Sequence, residues 1–242
     1  MTLTIQARFC GPPRSGNGGW VAGRIAALVS PTEQLPCPSV RLVSPPPLDR
    51  ELAVEHDGDG VRVLDGDLLV GSGRPGPRPP ADDIPAPLGL DAAHEAAARY
   101  DTSAAHAFPT CYVCGPDRAP GDGLRIFSGP VAGRHDLVAA PWVPTDAAPE
   151  TVWAALDCPG AWALHFDRVP MVLGSISLEL LRLPEVGVEH VVTGWSRGHE
   201  GRKHFCGTAL HTADGELLAH ADAIWVAIRP DDIRPHREGE QP

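Results

Sequence analysis

Hydrophobic positions along this chain change period in the same order twice. Leu3-Thr4-Ile5-Gln6-Ala7-Arg8-Phe9 alternates as a half-buried strand does, and Gly11-Pro12-Pro13-Arg14-Ser15-Gly16 turns the chain. Asn17 is a good N-cap residue, and Gly18 and Gly19 open a first turn. Trp20, Val21, Ile25, Leu28 and Val29 then recur at helical spacing, with Arg24 as the only charge. A helix with so little polar face must be covered on most sides. From Pro38 the period becomes two. Residues 39–43, 51–55, 61–64 and 68–70 read as strands, with turns at Asp57-Gly58-Asp59-Gly60 and Asp65-Gly66.

Proline then interrupts the pattern. Arg74-Pro75-Gly76-Pro77-Arg78-Pro79-Pro80 is too proline-rich for a sheet interior and reads as a linker running on to Pro87, followed by a small helix over 91–100. Beyond it the first order returns. Residues 124–127 and 136–140 predict strands and 149–164 a long apolar helix. Residues 172–183, 189–195, 204–211 and 217–228 predict an antiparallel meander, with a turn at Ala213-Asp214-Gly215. The organisation read from this is a first unit over 1–80, a linker with a short helix over 81–104, a second unit over 105–230 and a polar tail over 231–242. Two units of the same element order suggest a fused dimer with a pseudo-twofold axis between its sheets.

The 149–164 helix carries the first sign of chemistry. Val152, Trp153, Leu156, Ala163 and Leu164 form its apolar stripe, and Asp157, four residues after Trp153 and four before Ala161, shares that stripe. A carboxylate in such a place is costly, because burial disfavours its charged form; it is usually paired or retained for chemistry. The structural alternative is a helix dipping its Asp into an internal hydrogen-bond network.

Composition narrows the partners. A net charge of −11 and a pI near 5.4 supply no basic field for nucleic acid, and no Lys/Arg run supplies a local one. The start of the chain, Met1 to Phe9, does not read as an export leader, and no apolar run approaches the roughly 18 residues that span a bilayer. The reading is a cytoplasmic protein with no nucleic-acid or membrane partner. The 6 cysteines are then expected to be reduced and buried. Only Cys111-Tyr112-Val113-Cys114 has a ligand-like spacing, and no second pair follows it at zinc-finger distance. No metal site and no cofactor are therefore expected, with His106, His204 or Cys206 able to complete a site only through the tertiary fold.

These residues resemble the hotdog-fold acyl-CoA thioesterase superfamily, in the phenylacetyl-CoA-type branch. Two such units in one chain would make an α+β double hotdog, with two helix-wrapped antiparallel sheets side by side. The family's central helix begins His-Gly-Gly and carries a catalytic Asp nine residues after that His. Asn17-Gly18-Gly19 stands in the first position, with Ala26 where the acid would be; Ala148-Pro149-Glu150 stands in the second, with Asp157 in place. Since sites in these dimers take their glycines from one subunit and their Asp from the other, the resemblance implies one complete site built from both halves. The mirror site of Ala148, Pro149, Glu150 and Ala26 would be silent.

What the resemblance implies beyond this is thioester hydrolysis. Catalysis falls to Asp157 with Asn17, Gly18 and a strand hydroxyl, Ser175. Gly19, Ser177 and the basic pair Arg202 and Lys203 are the candidate substrate contacts. Gly18, at a helix N-terminus, is the candidate oxyanion donor. Asp157 acts either as base for a water or as the nucleophile. The substrate is an acyl-CoA or acyl-carrier thioester, and a homo-oligomer of such chains stays open. A silent hotdog protein that binds the same ligand is the alternative. A hydratase is disfavoured, because Trp162 stands where an Asp-x-x-x-x-His pair would place its His.

Overall fold

The computed structural model describes residues 1–100 and 106–229. In chain order it contains β1 (Thr2–Thr4), a 3-10 turn (Ala7–Phe9), α1 (Gly18–Ala26), β2 (Cys37–Leu42), β3 (Glu51–Asp57), β4 (Gly60–Asp65), β5 (Leu68–Gly76) and α2 (Leu90–Ala97). There follow β6 (Gly129–Pro130), β7 (Leu137–Trp142), α3 (Pro149–Ala155), α4 (Cys158–Ala163), β8 (Met171–Leu180), β9 (His190–Glu200), β10 (Lys203–Thr212) and β11 (Leu217–Ala227). The polar tail lies outside the described residues, as do both ends of the 105–230 unit.

All strands of the described residues join one 11-stranded antiparallel sheet in the order β1-β3-β4-β5-β2-β8-β11-β10-β9-β7-β6. Read outward from β2, the first half runs β2, β5, β4, β3, β1; read outward from β8, the second runs β8, β11, β10, β9, β7. The two sequences of connection are the same. The two antiparallel sheets expected side by side are joined as one: β2 and β8 are hydrogen-bonded edge to edge, with Ser39 opposite Ser177, Val40 opposite Ile176 and Arg41 opposite Ser175. Val40 and Ile176 are both buried, so the joint is part of the main core.

That core lies between the sheet and α1, α3 and α4. Helix α2 takes the other side of the second half, where Ala93 and Ala96 pack on Ala139 and Val191 while their sequence neighbours Ala140 and Val192 face the main core. The segment before α2 is pinned by Arg197, which donates Nε and Nη2 to the two oxygens of Asp83 at 2.6 Å each. The same contact holds the Asp83 carboxyl below its usual pKa.

Several local expectations change for identifiable reasons. The 3–9 strand stops at Thr4, because Ala7 N–H donates to Asp49 Oδ1 at 2.9 Å and the chain curls into the 3-10 turn. Strand β5 runs through Pro75, which the composition assigned to the linker. At that level β4 has ended, its outermost partner on β5 being Gly73, so Pro75 has a neighbour only in Pro38 of β2 and no ladder bond is lost. Residues 124–127 form no strand; Leu124 and Ile126 instead donate to the carbonyls of Tyr112 and Val113 at 2.8 and 2.9 Å. The 149–164 helix is broken into α3 and α4 at Leu156 and Asp157.

Helices α1 and α3 cross at very short range. A Cβ on Gly23 would lie 2.6 Å from Glu150 Cα and 2.9 Å from Trp153 Cβ. Most helix-interior Gly→Ala changes stabilise by roughly 1 kcal/mol. Gly23→Ala should do the reverse, lowering stability by about 1–3 kcal/mol through overpacking against backbone. Urea unfolding at neutral pH gives the sign.

Candidate active site

The crossing of α1 and α3 brings Asp157 to the first turn of α1. Asn17 caps that helix, its Oδ1 accepting from Trp20 N–H at 2.9 Å, which turns the Nδ2 amide outward. Asn17 Nδ2 donates to Asp157 Oδ2 at 2.9 Å, and Gly19 N–H donates to the same oxygen at 2.9 Å. A Cβ at Gly19 would stand 2.4 Å from Asp157 Cβ, so only glycine lets the carboxylate reach this N–H. The other oxygen, Oδ1, is buried without a hydrogen-bond partner.

The break between α3 and α4 aims the side chain. Asp157 occupies the N-cap position of α4, and Pro159, in the first turn of that helix, has no N–H to return to α3. The break at Leu156 and Asp157 lies just past Ala155, the residue whose carbonyl Pro159 leaves without a helical donor. Thr208 Oγ1 on β10 donates to Leu156 O at 2.8 Å and satisfies the carbonyl at the break. Gly194 on β9 leaves room for this turn, since a Cβ there would meet Pro159 O at 2.3 Å.

Asp157 is 1% exposed. Burial is the largest influence on it and raises its pKa to about 7; the Gly19 N–H and the Asn17 amide pull the other way, and the Cys111 sulfur adds to the rise. A carboxyl poised there can accept a proton at neutral pH.

Asp157 lines a cavity of about 540 Å³ that reaches from Gly16, Asn17 and Gly18 past Leu173 to Trp162, Phe166 and Trp225. The walls are mainly apolar. Its polar exceptions include the carboxyl, and Trp225, whose indole N–H also has no partner. Gly18, unlike Gly19, faces this space, and a first-turn N–H has no intrahelical acceptor. Arg14, exposed and without an ion pair among the described residues, stands at its edge. A second, smaller cavity of about 250 Å³ lies on the mirror side, lined by Phe9, Trp20, Arg24 and Glu150; Glu150 is 4.0 Å from Arg24.

No family model and no curated protein matches the sequence. Solved structures do match along nearly the whole length. A protein assigned as a thioesterase from Novosphingobium aromaticivorans superposes with a TM-score of 0.61 at 16% identity, covering 94% of this chain and 95% of that one. A protein of unknown function with a hot dog fold from Alicyclobacillus acidocaldarius gives 0.57 at 13% identity, over 95% and 93%. An acyl-CoA thioesterase II of Mycobacterium marinum gives 0.56 at 13% identity, over 96% and 93%. The chain has the hotdog fold.

Within that hotdog sheet the remaining candidates separate. Ser175 and Ser177 do not join Asp157. Opposite Ile224 and Trp225 the register slips so that Gly174 is unpaired, which changes the parity of β8: Met171 and Leu173 face the core before the bulge, Ile176 and Leu178 after it. Without the bulge Ser175 would share the face of Leu173; with it, both serines turn away, and Ser177 Oγ donates to Pro38 O at 3.2 Å. Arg202 and Lys203 are exposed at the tip of the β9–β10 hairpin, outside the cavity wall. Arg202 O accepts from Ala227 N–H at 2.8 Å, next to the cavity-lining Ile228.

Thr208, Arg14 and Leu173 were not legible as site residues. Each is an ordinary residue of a strand or loop until the fold places it. The pair Cys111 and Cys114 also gains a companion, since Cys158 Sγ lies 3.7 Å from Cys111 Sγ. Asn17 Nδ2 reaches both sulfurs, at 3.8 and 3.9 Å.

The raised pKa sets a pH dependence of stability. The folded state holds the Asp157 proton up to about pH 7, whereas the unfolded chain releases it near 3.8, so the folded state binds more protons between those values. Stability contributed by this group therefore falls as pH rises through that window, by about 1.4 kcal/mol per unit, and is level above it. Asp157→Asn should remove the slope. Urea midpoints at pH 5 and pH 8 should show the variant gaining on the wild type as pH rises; parallel midpoints would mean that Asp157 is not the titrating group.

Proposed function

We propose that the chain hydrolyses an acyl thioester, carried on coenzyme A or on an acyl-carrier protein, in the cavity between Asp157 and the start of α1. The single observation behind this reading is the division of labour within one carboxyl. Oδ2 is fixed by Asn17 and Gly19, while Oδ1 is buried without a partner in a residue that lines the mainly apolar cavity. A group used only to complete the core would have both oxygens satisfied.

In this reading Asn17 and Gly19 position the acid, and Gly18 turns a free N–H toward the thioester carbonyl oxygen at the positive end of α1. Asp157, ionised above pH 7, takes a proton from water as that water attacks the carbonyl carbon; alternatively it attacks the carbon itself and water opens the resulting anhydride. The thiolate leaves with little help, because a thiol of this kind has a pKa near 8.5 by analogy with Cys. Residues 1–80 and 105–230 would be the two hotdog units, each providing one side of the site. The thioesterases among the structural neighbours support the reaction class.

Acyl-CoA hydrolysis followed as free CoA tests this directly. Asp157→Asn, near-isosteric, should lower kcat by on the order of 10³ or more while substrate binding persists. Glu150→Gln, on the mirror side, should leave turnover within about twofold, since its partner Arg24 is a half-exposed contact. Binding of acyl-CoA with no turnover by the wild type would favour the silent-binder alternative, and full activity in Asp157→Asn would remove the proposed role.

Arg14 is the cation best placed for a coenzyme A phosphate, with Arg202 and Lys203 further out. Arg14→Ala should raise KM several-fold at unchanged kcat for a CoA ester, and the effect should shrink with added salt. An equal KM for both enzymes would exclude a phosphate contact at Arg14.

A further inference from the structure

Three cysteine sulfurs converge beside the candidate active site, with a histidine ring next to one of them. The sulfurs of Cys111, Cys114 and Cys158, all buried, lie within 4.8 Å of one another. Cys111 Sγ and Cys158 Sγ are 3.7 Å apart, and His106 Nε2 is 3.5 Å from Cys114 Sγ. The first three of these residues in sequence, His106, Cys111 and Cys114, belong to one irregular segment. Cys158 arrives from the first position of α4.

The two spacings of 3.7 and 3.5 Å match a definite chemistry. Two thiolates bound at about 2.3 Å to one tetrahedral metal lie roughly 3.8 Å apart, and a thiolate and an imidazole nitrogen roughly 3.6 Å. Buried cysteines that serve only as small hydrophobes have no reason to gather three sulfurs within 4.8 Å of one another, with an imidazole nitrogen beside one of them. A second shell is also present. The Asn17 amide that holds Asp157 lies at N–H···S distance from two of the sulfurs.

We propose that Cys111, Cys114, Cys158 and His106 form a closed Cys₃His site for a soft divalent metal ion, zinc or one of like preference. The expectation of no metal rested on a visible pair of ligands, and the fold supplies the other two. On binding, thiol protons pass to solvent and three thiolates meet one dication, giving the site one net negative charge. Phe108 N–H now donates to His106 Nδ1 at 2.9 Å, so the neutral ring carries its proton on Nε2. Ligation moves that proton to Nδ1 and gives up the Phe108 contact. With every position taken by protein the site is structural: it ties residues 106–114 to the start of α4, and hence to the backbone of Asp157.

The test uses the full chain, without a histidine tag, expressed with added zinc and purified under reducing conditions. Elemental analysis should find about one zinc per chain. Chelation should lower the thermal midpoint and zinc should restore it. Cobalt substitution should give the thiolate charge-transfer and tetrahedral ligand-field bands. Cys111→Ser, Cys114→Ser and Cys158→Ser should each weaken binding at least tenfold, Cys37→Ser should not, and His106→Ala should shift the ligand-field bands. These readouts need no substrate, so they stand apart from the thioesterase reading. Wild-type protein that is folded, with all its cysteines titrating as free thiols after zinc is supplied, and yet holds no stoichiometric metal and shows no cobalt–thiolate band would overturn the site. A Cys111–Cys158 disulfide in protein isolated anaerobically would do the same. Unchanged bands in His106→Ala would overturn the Cys₃His assignment.

Discussion

Two glycines one helical turn apart, Gly19 and Gly23, let α1 lie against α3 at backbone distance. Everything in the candidate site follows from that approach. Gly23 sits on Glu150 and Trp153, and Gly19, one turn earlier, meets Asp157 where α3 has just ended. Had either position carried a side chain, the helices would stand apart and the Gly19 N–H would be out of reach of the carboxylate. A buried Asp needs such donors to be tolerable at all. The structure provides two to one oxygen and none to the other, which leaves the acid half-satisfied.

The same crossing explains why the two sides of the pseudo-symmetric molecule differ. On one side a small first turn faces an acid; on the other Pro149 and Glu150 begin the helix, and the position that would match the acid is Ala26. Glu150 is turned to the half-exposed Arg24 and a small polar hollow. Repetition of the strand order shows a common plan, and the two helix starts depart from it differently, with glycines at α1 and Pro149 and Glu150 at α3.

Much of this plan was legible from residue patterns. The alternation of strands, the apolar stripe around Asp157 and the complementary halves of a motif at Asn17 and Asp157 each have a local signature, and the fold brings those two residues to 2.9 Å. What escaped depends on long-range geometry. The Gly174 bulge reverses the faces of Ser175 and Ser177 by one residue of slip, and a glycine in a strand does not announce whether it is bulged. Thr208 is one β-branched residue among many until Leu156 needs a donor. Cys158 seemed a small apolar neighbour of Asp157, and only the tertiary fold places its sulfur beside that of Cys111, far earlier in the chain. The register of the joint between β2 and β8 left no mark for a similar reason: edge pairing between distant strands does not show in either strand's own periodicity.

That joint has a consequence for how the chain is made. When a ribosome has released β1 to β5, the free edge of β2 and the apolar face of α1 have no partners, because β8 and α3 are still to be translated. At ordinary elongation rates the gap lasts on the order of ten seconds. During it the nascent half-sheet offers an open edge to any other strand nearby, including the same half of a chain on the next ribosome. Crowded polysomes would therefore be the setting in which this protein is most exposed to mispairing.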